Sequence, residues 1–202
     1  EQRGPVRAVL FDDGTEVEAR ALVVATGVSY RRLDADGVPD LTGRGVYYGA
    51  TASEASGCAG DEVYVVGAAN SAGQATLNLA KFASRVVMLV RGAGIEESMS
   101  QYLVDRIHST PNIEVRLRTE VVSARGEGHL EYLTVADRDT GEHTEVPTSW
   151  LFVFIGAAPH AQWLGDQVAL SPHGFIITGH DLLIDGVSPR WALERAPFAL
   201  ET

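Results

Sequence analysis

Residues 61–73 read Asp-Glu-Val-Tyr-Val-Val-Gly-Ala-Ala-Asn-Ser-Ala-Gly, and this stretch decides the fold. Glu62 to Val66 is a short apolar run suited to a central parallel strand, buried on both faces. Asn70 to Phe82 follows as a helix, with Ala72, Ala75, Leu79, Phe82 and the adjoining Ala83 forming one apolar stripe. Between them lies the tight turn from Gly67 to Gly73. A strand, a small-residue turn and a helix start form an anion site, because the first amides of a helix lack partners and the helix dipole adds positive potential there. Gly67 permits the sharp turn. Ala69 and Ala72 stand where the common dinucleotide fingerprint has glycines, which leaves the approach to a diphosphate possible but tighter. The plain alternative is a strand–helix turn whose small residues serve packing alone.

Working outward, Val86 to Val90 reads as a second parallel strand, ending about twenty residues on, as a βαβ nucleotide unit requires. Arg91 closes it. An acid there would accept from a ribose 2′-hydroxyl and select NAD; an arginine pairs with a 2′-phosphate, so NADPH is favoured and NADH is the open alternative. Glu96 and Glu97 lie close by and would oppose a phosphate. Ser98 to His108 reads as a helix capped by Ser98, with Met99, Leu103 and Ile107 at four-residue spacing. Ile113 to Leu117 is a third strand, Glu120 to Ala136 a hairpin about Gly126-Glu127-Gly128, Asp139-Thr140-Gly141 a turn, and Trp150 to Ile155 a buried strand ending in Gly156. Upstream, Val6 to Phe11 and Thr15 to Ala19 flank an Asp-Gly turn, and Arg20 to Thr26 reads as a buried strand. Gly27 to Gly45 is rich in turn residues and suits a domain boundary. The tail from Pro159 has few helices and many turns.

Composition narrows the function classes. The chain has 202 residues, 45% of them apolar and 21% charged, as in an ordinary globular protein. A net charge of −11 argues against wrapping nucleic acid or docking on an anionic membrane, since the field repels both. No run reaches the roughly 20 apolar residues of a membrane helix, and the first residues have no leader pattern. The single cysteine, Cys58, forms neither an internal disulfide nor a Cys-x-x-Cys pair, which makes a cytoplasmic location the expectation. It reads as an inert small residue. The six histidines, at 108, 129, 143, 160, 173 and 180, show no tight metal-binding spacing and read as surface or loop residues, so no metal is expected. Ser71 has no nucleophile setting; it reads as a helix cap or a phosphate contact. Trp163, Trp191 and the Tyr47-Tyr48 pair read as core or interface residues.

Four stretches, in order, give the chain a resemblance to the thioredoxin reductase family of flavoproteins. They are Leu22-Val23-Val24-Ala25-Thr26-Gly27, Gly45-Val46-Tyr47-Tyr48, Gly67 to Ala72, and Trp150-Leu151-Phe152-Val153-Phe154-Ile155-Gly156. The resemblance implies an α/β fold: a Rossmann-like three-layer ββα NAD(P)-binding domain, residues 43–156, inserted into an FAD-binding domain represented here by β segments 1–42 and 157–202. It implies that Ala25, Thr26 and Gly27 lie against FAD. It sets Gly67, Ala69, Asn70, Ser71, Ala72, Gly73, Ile155 and Gly156 beside the pyridine nucleotide, and Arg91 at the 2′-phosphate, with Gly92 where the family has a second arginine. The family's Cys-x-x-Cys aligns with Gly49-Ala50-Thr51-Ala52, so thiol–disulfide exchange at that place has no sulfur to run on. The chain is expected to be a piece of a longer protein, because the family's N-terminal Gly-x-Gly-x-x-Gly and C-terminal Gly-Asp motifs are not in it. It resembles a cysteine-free branch whose members are sometimes fused to regulatory domains.

The expected function is therefore the pyridine-nucleotide half of an FAD-dependent NAD(P)H oxidoreductase, a homodimer when full length, passing electrons to an acceptor that could be a protein, a quinone or oxygen. The cofactors carry the hydride chemistry, so no catalytic side chain is expected in this chain. Two rivals stand beside it: a redox-sensing nucleotide module with little turnover, and a flavin-free Rossmann dehydrogenase, which would need a catalytic group near the strand ends.

Overall fold

A computed structural model describes residues 1–186, 191 and 193–202. The chain separates into two compact units, Glu1–Ser29 with Ala157–Thr202, and Tyr30–Gly156. The break falls at Ser29/Tyr30, inside the turn-rich stretch from Gly27 to Gly45 and ahead of the boundary at 42 that the resemblance implies, because Val38 and Leu41 are buried in the core of the second unit.

The first unit opens with a meander of β1 (Gln2–Arg3), β2 (Val6–Leu10) and β3 (Glu16–Ala19). The Asp-Gly turn forms as expected: Asp13 accepts from the Thr15 amide and hydroxyl, and Gly14 takes φ +83°, which a side chain would oppose. The expectation for 20–26 fails. These residues join no sheet among the described residues, and Val23 is 87% exposed. An apolar run becomes a buried strand only where a neighbouring strand satisfies its backbone. β4 (Val28–Tyr30) pairs with a strand formed much later in the chain, at residues 157–159.

The second unit carries β5 (Val46–Tyr48), α1 (Ala52–Gly57), β6 (Glu62–Val66), α2 (Asn70–Leu79), β7 (Arg85–Leu89), α3 (Gln101–Ser109), β8 (Ile113–Arg116), β9 (Thr119–Arg125), β10 (Tyr132–Asp137), β11 (His143–Pro147) and β12 (Leu151–Val153). β13 (Ala157–Pro159) returns the chain to the first unit, whose remaining regular elements are two 3-10 helices, Gln162–Gln167 and Gly179–Gly186.

Five parallel strands form the central sheet in the order β5-β12-β6-β7-β8. Because side chains alternate across a strand, Val63 and Val65 face one core with Val86, Met88 and Phe152, covered by α2 and α3. Tyr64 and Val66 face the opposite core with Val87, Leu89, Leu151 and Val153, covered by the antiparallel sheet β11-β10-β9 through Val121, Leu133 and Val135. The sheet is thus buried on both faces, which explains the continuous apolar runs of β6 and β7. This is the three-layer ββα architecture that the resemblance implies.

Two helix ends differ from the sequence reading. α2 stops at Leu79, leaving Phe82 42% exposed, because Asn112 donates its side-chain amide to the carbonyls of Ala80 and Ala83 and ends the helix. The cap of α3 is Ser100, not Ser98. Residues 95–99 form their own turn, closed by Met99 N–H on the Ile95 carbonyl at 3.0 Å, and the Ser98 hydroxyl donates to the Ala68 carbonyl instead.

Tyr47, Trp150 and Phe152 stack at centroid separations of 5.7–6.2 Å, with Trp150 Nε1 donating to Asp61 at 2.8 Å. Trp163, read as core or interface, is 55% exposed, its indole N–H donating to the His160 carbonyl. Trp191 is half-buried with the Arg195 guanidinium over its ring. Cys58 is fully buried, its thiol donating to the Ala55 carbonyl, and burial pushes its pKa up. It is expected to resist Ellman's reagent in the folded protein and to react fully in denaturant; rapid labelling of the native chain would contradict this placement.

Candidate nucleotide site

The site of the second unit lies at the carboxyl ends of β6, β7 and β12. β6 leads into β7 on one side, while β12 lies on its other side, so the ends of β6 and β12 mark a topological switch point, the place where open α/β sheets hold ligands.

Gly67 is required here. It takes φ +142°, and a Cβ on it would lie 2.4 Å from the Phe154 carbonyl oxygen of the neighbouring chain segment. Phe154 N–H donates to the Val66 carbonyl at 2.8 Å, so the turn and the end of β12 are held edge to edge. Ile155 and Gly156 follow directly, half-buried and exposed respectively, with Gly156 at φ +94°. Ala72 is fully buried against the turn, where a larger residue would push the helix away from the strand. Gly73 serves packing: a Cβ there would meet the Met99 side chain at 2.7 Å where α2 approaches α3.

The start of α2 is open. Its N-cap is Ala69, with φ −90° and ψ 177°, and no side chain accepts from the first amides. The Ser71 side chain is therefore not the cap that the sequence allowed; it sits one residue into the helix and is exposed. Among the described residues nothing accepts from the N–H groups of Asn70, Ser71 and Ala72, whereas Gly73 N–H already bonds the Ala69 carbonyl at 3.1 Å. Ala69, Asn70 and Ser71 are all exposed. The Asn70 side chain is committed elsewhere: its Oδ1 accepts from the amide and hydroxyl of Ser100 at 2.7 and 2.8 Å, capping α3. What Asn70 offers a ligand is its backbone.

Arg91 lies two residues beyond β7 and is exposed, with no ion-pair partner among the described residues. The Glu96 carboxylate, which could oppose an anion, turns back to accept from the Ile95 N–H at 2.9 Å. Asp137, at the end of β10, accepts from the N–H groups of Thr140 and Asp139, which hold its carboxyl below the usual range and fix the turn after it.

In the first unit, Ala25, Thr26 and Gly27 form an exposed segment outside regular structure. His160, read from sequence as a loop residue, fastens it. Its N–H donates to the Gly27 carbonyl at 3.0 Å, its carbonyl accepts from the Thr26 hydroxyl at 2.6 Å, and its ring contacts the Thr26 carbonyl at 3.0 Å and the Ser29 hydroxyl at 2.7 Å. Gly27 takes φ +72° with open space where a Cβ would stand, so a flat ligand could approach its backbone. Sequence spacing gave no sign of this cluster, since its members lie more than 130 residues apart. Among the described residues no group of three histidines, cysteines or acids comes together to hold a metal ion, and no helix is long and apolar enough to cross a membrane.

A parallel sheet with an uncapped helix start at its switch point, covered by helices on one face and an antiparallel sheet on the other, defines a nucleotide-binding domain of the two-dinucleotide flavoprotein kind. The family model described as pyridine nucleotide-disulphide oxidoreductase matches residues 2–187, and the chain belongs to that family. It is 31% identical over 175 residues to a bifunctional thioredoxin reductase/thioredoxin of Mycobacterium leprae, covering 87% of this chain and 38% of that protein. It is 28% identical over 174 residues to an alkyl hydroperoxide reductase component of Staphylococcus aureus, covering 84% of this chain and 33% of that one. The thioredoxin reductase of Streptococcus pyogenes superposes with a TM-score of 0.74 at 26% identity, over 88% of this chain and 57% of that structure. That of Lactococcus lactis, at 23% identity and a TM-score of 0.72, covers 88% of this chain and 58% of that structure and shows the shared fold. The chain thus spans a third to two-fifths of the length of these curated relatives.

Proposed function

We propose that residues 43–156 bind a pyridine nucleotide, with its diphosphate on the Asn70, Ser71 and Ala72 amides, and that in the full-length protein the bound nicotinamide reduces FAD. The observation that carries this reading is the open start of α2. Three amides without partners among the described residues, two of them on the exposed residues Asn70 and Ser71, stand on the positive end of a helix dipole and fit an anion that the protein itself does not supply. Gly67 keeps the turn low enough for close approach, and Ile155 and Gly156 continue the floor beside it. In the first unit, the exposed backbone of Ala25-Thr26-Gly27, whose N–H groups have no partners among the described residues, fits one edge of the flavin nucleotide.

A bound pyridine nucleotide would supply a hydride to FAD in the full-length protein; the residues of this chain would bind and orient it. Transfer of electrons onward cannot use a disulfide at residues 49–52. Thr51 is there the N-cap of α1, in a capping box with Glu54, and the lone Cys58 is buried in the core. An external acceptor, whether protein, quinone or oxygen, and a homodimeric assembly complete the reading.

NADPH preference over NADH rests on Arg91, a cation without an ion-pair partner among the described residues, placed beyond β7 where an acid would select NADH. The test is fluorescence titration of this chain with both nucleotides. NADPH is expected to bind more tightly, and Arg91→Ala to weaken NADPH about tenfold with little effect on NADH, the loss of one charge-assisted contact. Equal affinities that the substitution leaves unchanged would remove the 2′-phosphate assignment. Binding of neither nucleotide would remove the function.

A further inference from the structure

Arg118 stands out in the backbone. It is the one non-glycine among the described residues with positive φ, at +51°. A side chain in this left-handed region costs free energy, and such residues persist where the surrounding structure holds them and often where function uses them. Arg118 lies beyond β8 as Arg91 lies beyond β7. Leu89 is in register with Arg116, Val90 N–H donates to the Arg116 carbonyl and Arg118 N–H to the Gly92 carbonyl, so the two arginines sit side by side at the ends of adjacent parallel strands. A third joins them from the other sheet. Arg138 follows β10; its N–H donates to the Arg118 carbonyl at 2.8 Å and its Nη1 to the Arg91 carbonyl at 3.2 Å. Three cations from three separate strands meet at one sheet corner in a chain of net charge −11.

Three acids share the corner, Asp137 among them within electrostatic reach of Arg118. Asp139 pairs with Arg118 at 3.1 Å and Glu120 with Arg138 at 3.4 Å, all with side chains 37–58% exposed. Exposed pairs of this kind contribute little to stability, so a phosphate dianion with three acceptor oxygens could draw both guanidinium groups from their carboxylates. With Asp137 counted, the three cations face three carboxylates, and Arg91 is the one of the three cations without an ion-pair partner among the described residues.

We infer that Arg118 and Arg138 complete the 2′-phosphate site with Arg91, supplying from the ends of β8 and β10 the cations that Gly92 does not. Specificity for the phosphorylated nucleotide is then written by three strands and not by one loop. The inference rests on the nucleotide reading above and extends it to residues that no sequence motif marks.

The test is titration of the chain with NADPH, NADH and 2′,5′-ADP at two salt concentrations, for the parent and for Arg118→Ala, Arg138→Ala and Arg118→Gly. Each variant is expected to weaken NADPH and 2′,5′-ADP about fivefold or more, to leave NADH within about twofold, and to flatten the salt dependence. Arg118→Gly separates strain from recognition: glycine accepts positive φ, so the melting temperature should hold or rise while NADPH affinity falls. Unchanged NADPH affinity in folded Arg118→Gly and Arg138→Ala would overturn the inference while leaving the nucleotide site standing. NADH binding as tightly as NADPH in the parent would overturn it too. If the parent binds neither, both readings fall.

Discussion

Ala69→Asp is expected to make this protein more stable and unable to hold a nucleotide. Ala69 already has the extended backbone of an N-cap, and its side chain offers no acceptor. An aspartate there would accept from the Ser71 or Ala72 amide and set a negative charge on the positive end of α2. Replacing alanine by a capping residue contributes about 1 kcal/mol to stability, with a few tenths more from the dipole. The same carboxylate would occupy the amides that the diphosphate needs and repel its charge, so NADPH and NADH affinities should both fall by about a hundredfold or more. The opposite signs make the experiment decisive. A purely structural turn would gain the stability and lose nothing, since there would be no ligand to displace. Thermal melts and nucleotide titrations on one preparation read both effects; a stabilised variant that binds as the parent does would end the anion-site reading.

Gly67→Ala is expected to act in the opposite sense on stability and in the same sense on binding. The added Cβ would approach the Phe154 carbonyl oxygen to 2.4 Å, and that oxygen belongs to backbone that cannot rotate away. The residue would also have to hold φ +142°, which alanine rarely adopts. Strain of this kind, with displacement of a buried strand end, costs about 2–4 kcal/mol. The displacement pushes the turn away from β12 and spoils the register of Ile155 and Gly156 with the start of α2. Urea unfolding should show the midpoint falling with an unchanged slope. Nucleotide binding should be lost at temperatures where the fold persists. Parent-like stability in this variant would mean that the turn sits farther from Phe154 than described.

The sequence alone determined the elements whose signals are local. Four to five β-branched or apolar residues made β6 and β7, a one-sided stripe made α2, and Asp13-Gly14 and the Gly126–Gly128 stretch made hairpin turns. Each follows from side-chain periodicity or backbone tolerance within a few residues, and the tight strand-to-helix turn at Gly67 was legible for the same reason. Tertiary structure alone decided the distant pairings. It inserted β12 between β5 and β6, left 20–26 without a ladder, gave the Asn70 side chain to Ser100, and let Asn112 end α2. It also brought Arg118 and Arg138 beside Arg91. A donor or a strand edge takes whichever partner the folded chain brings within about 3 Å, and no spacing along the sequence states which partner that is.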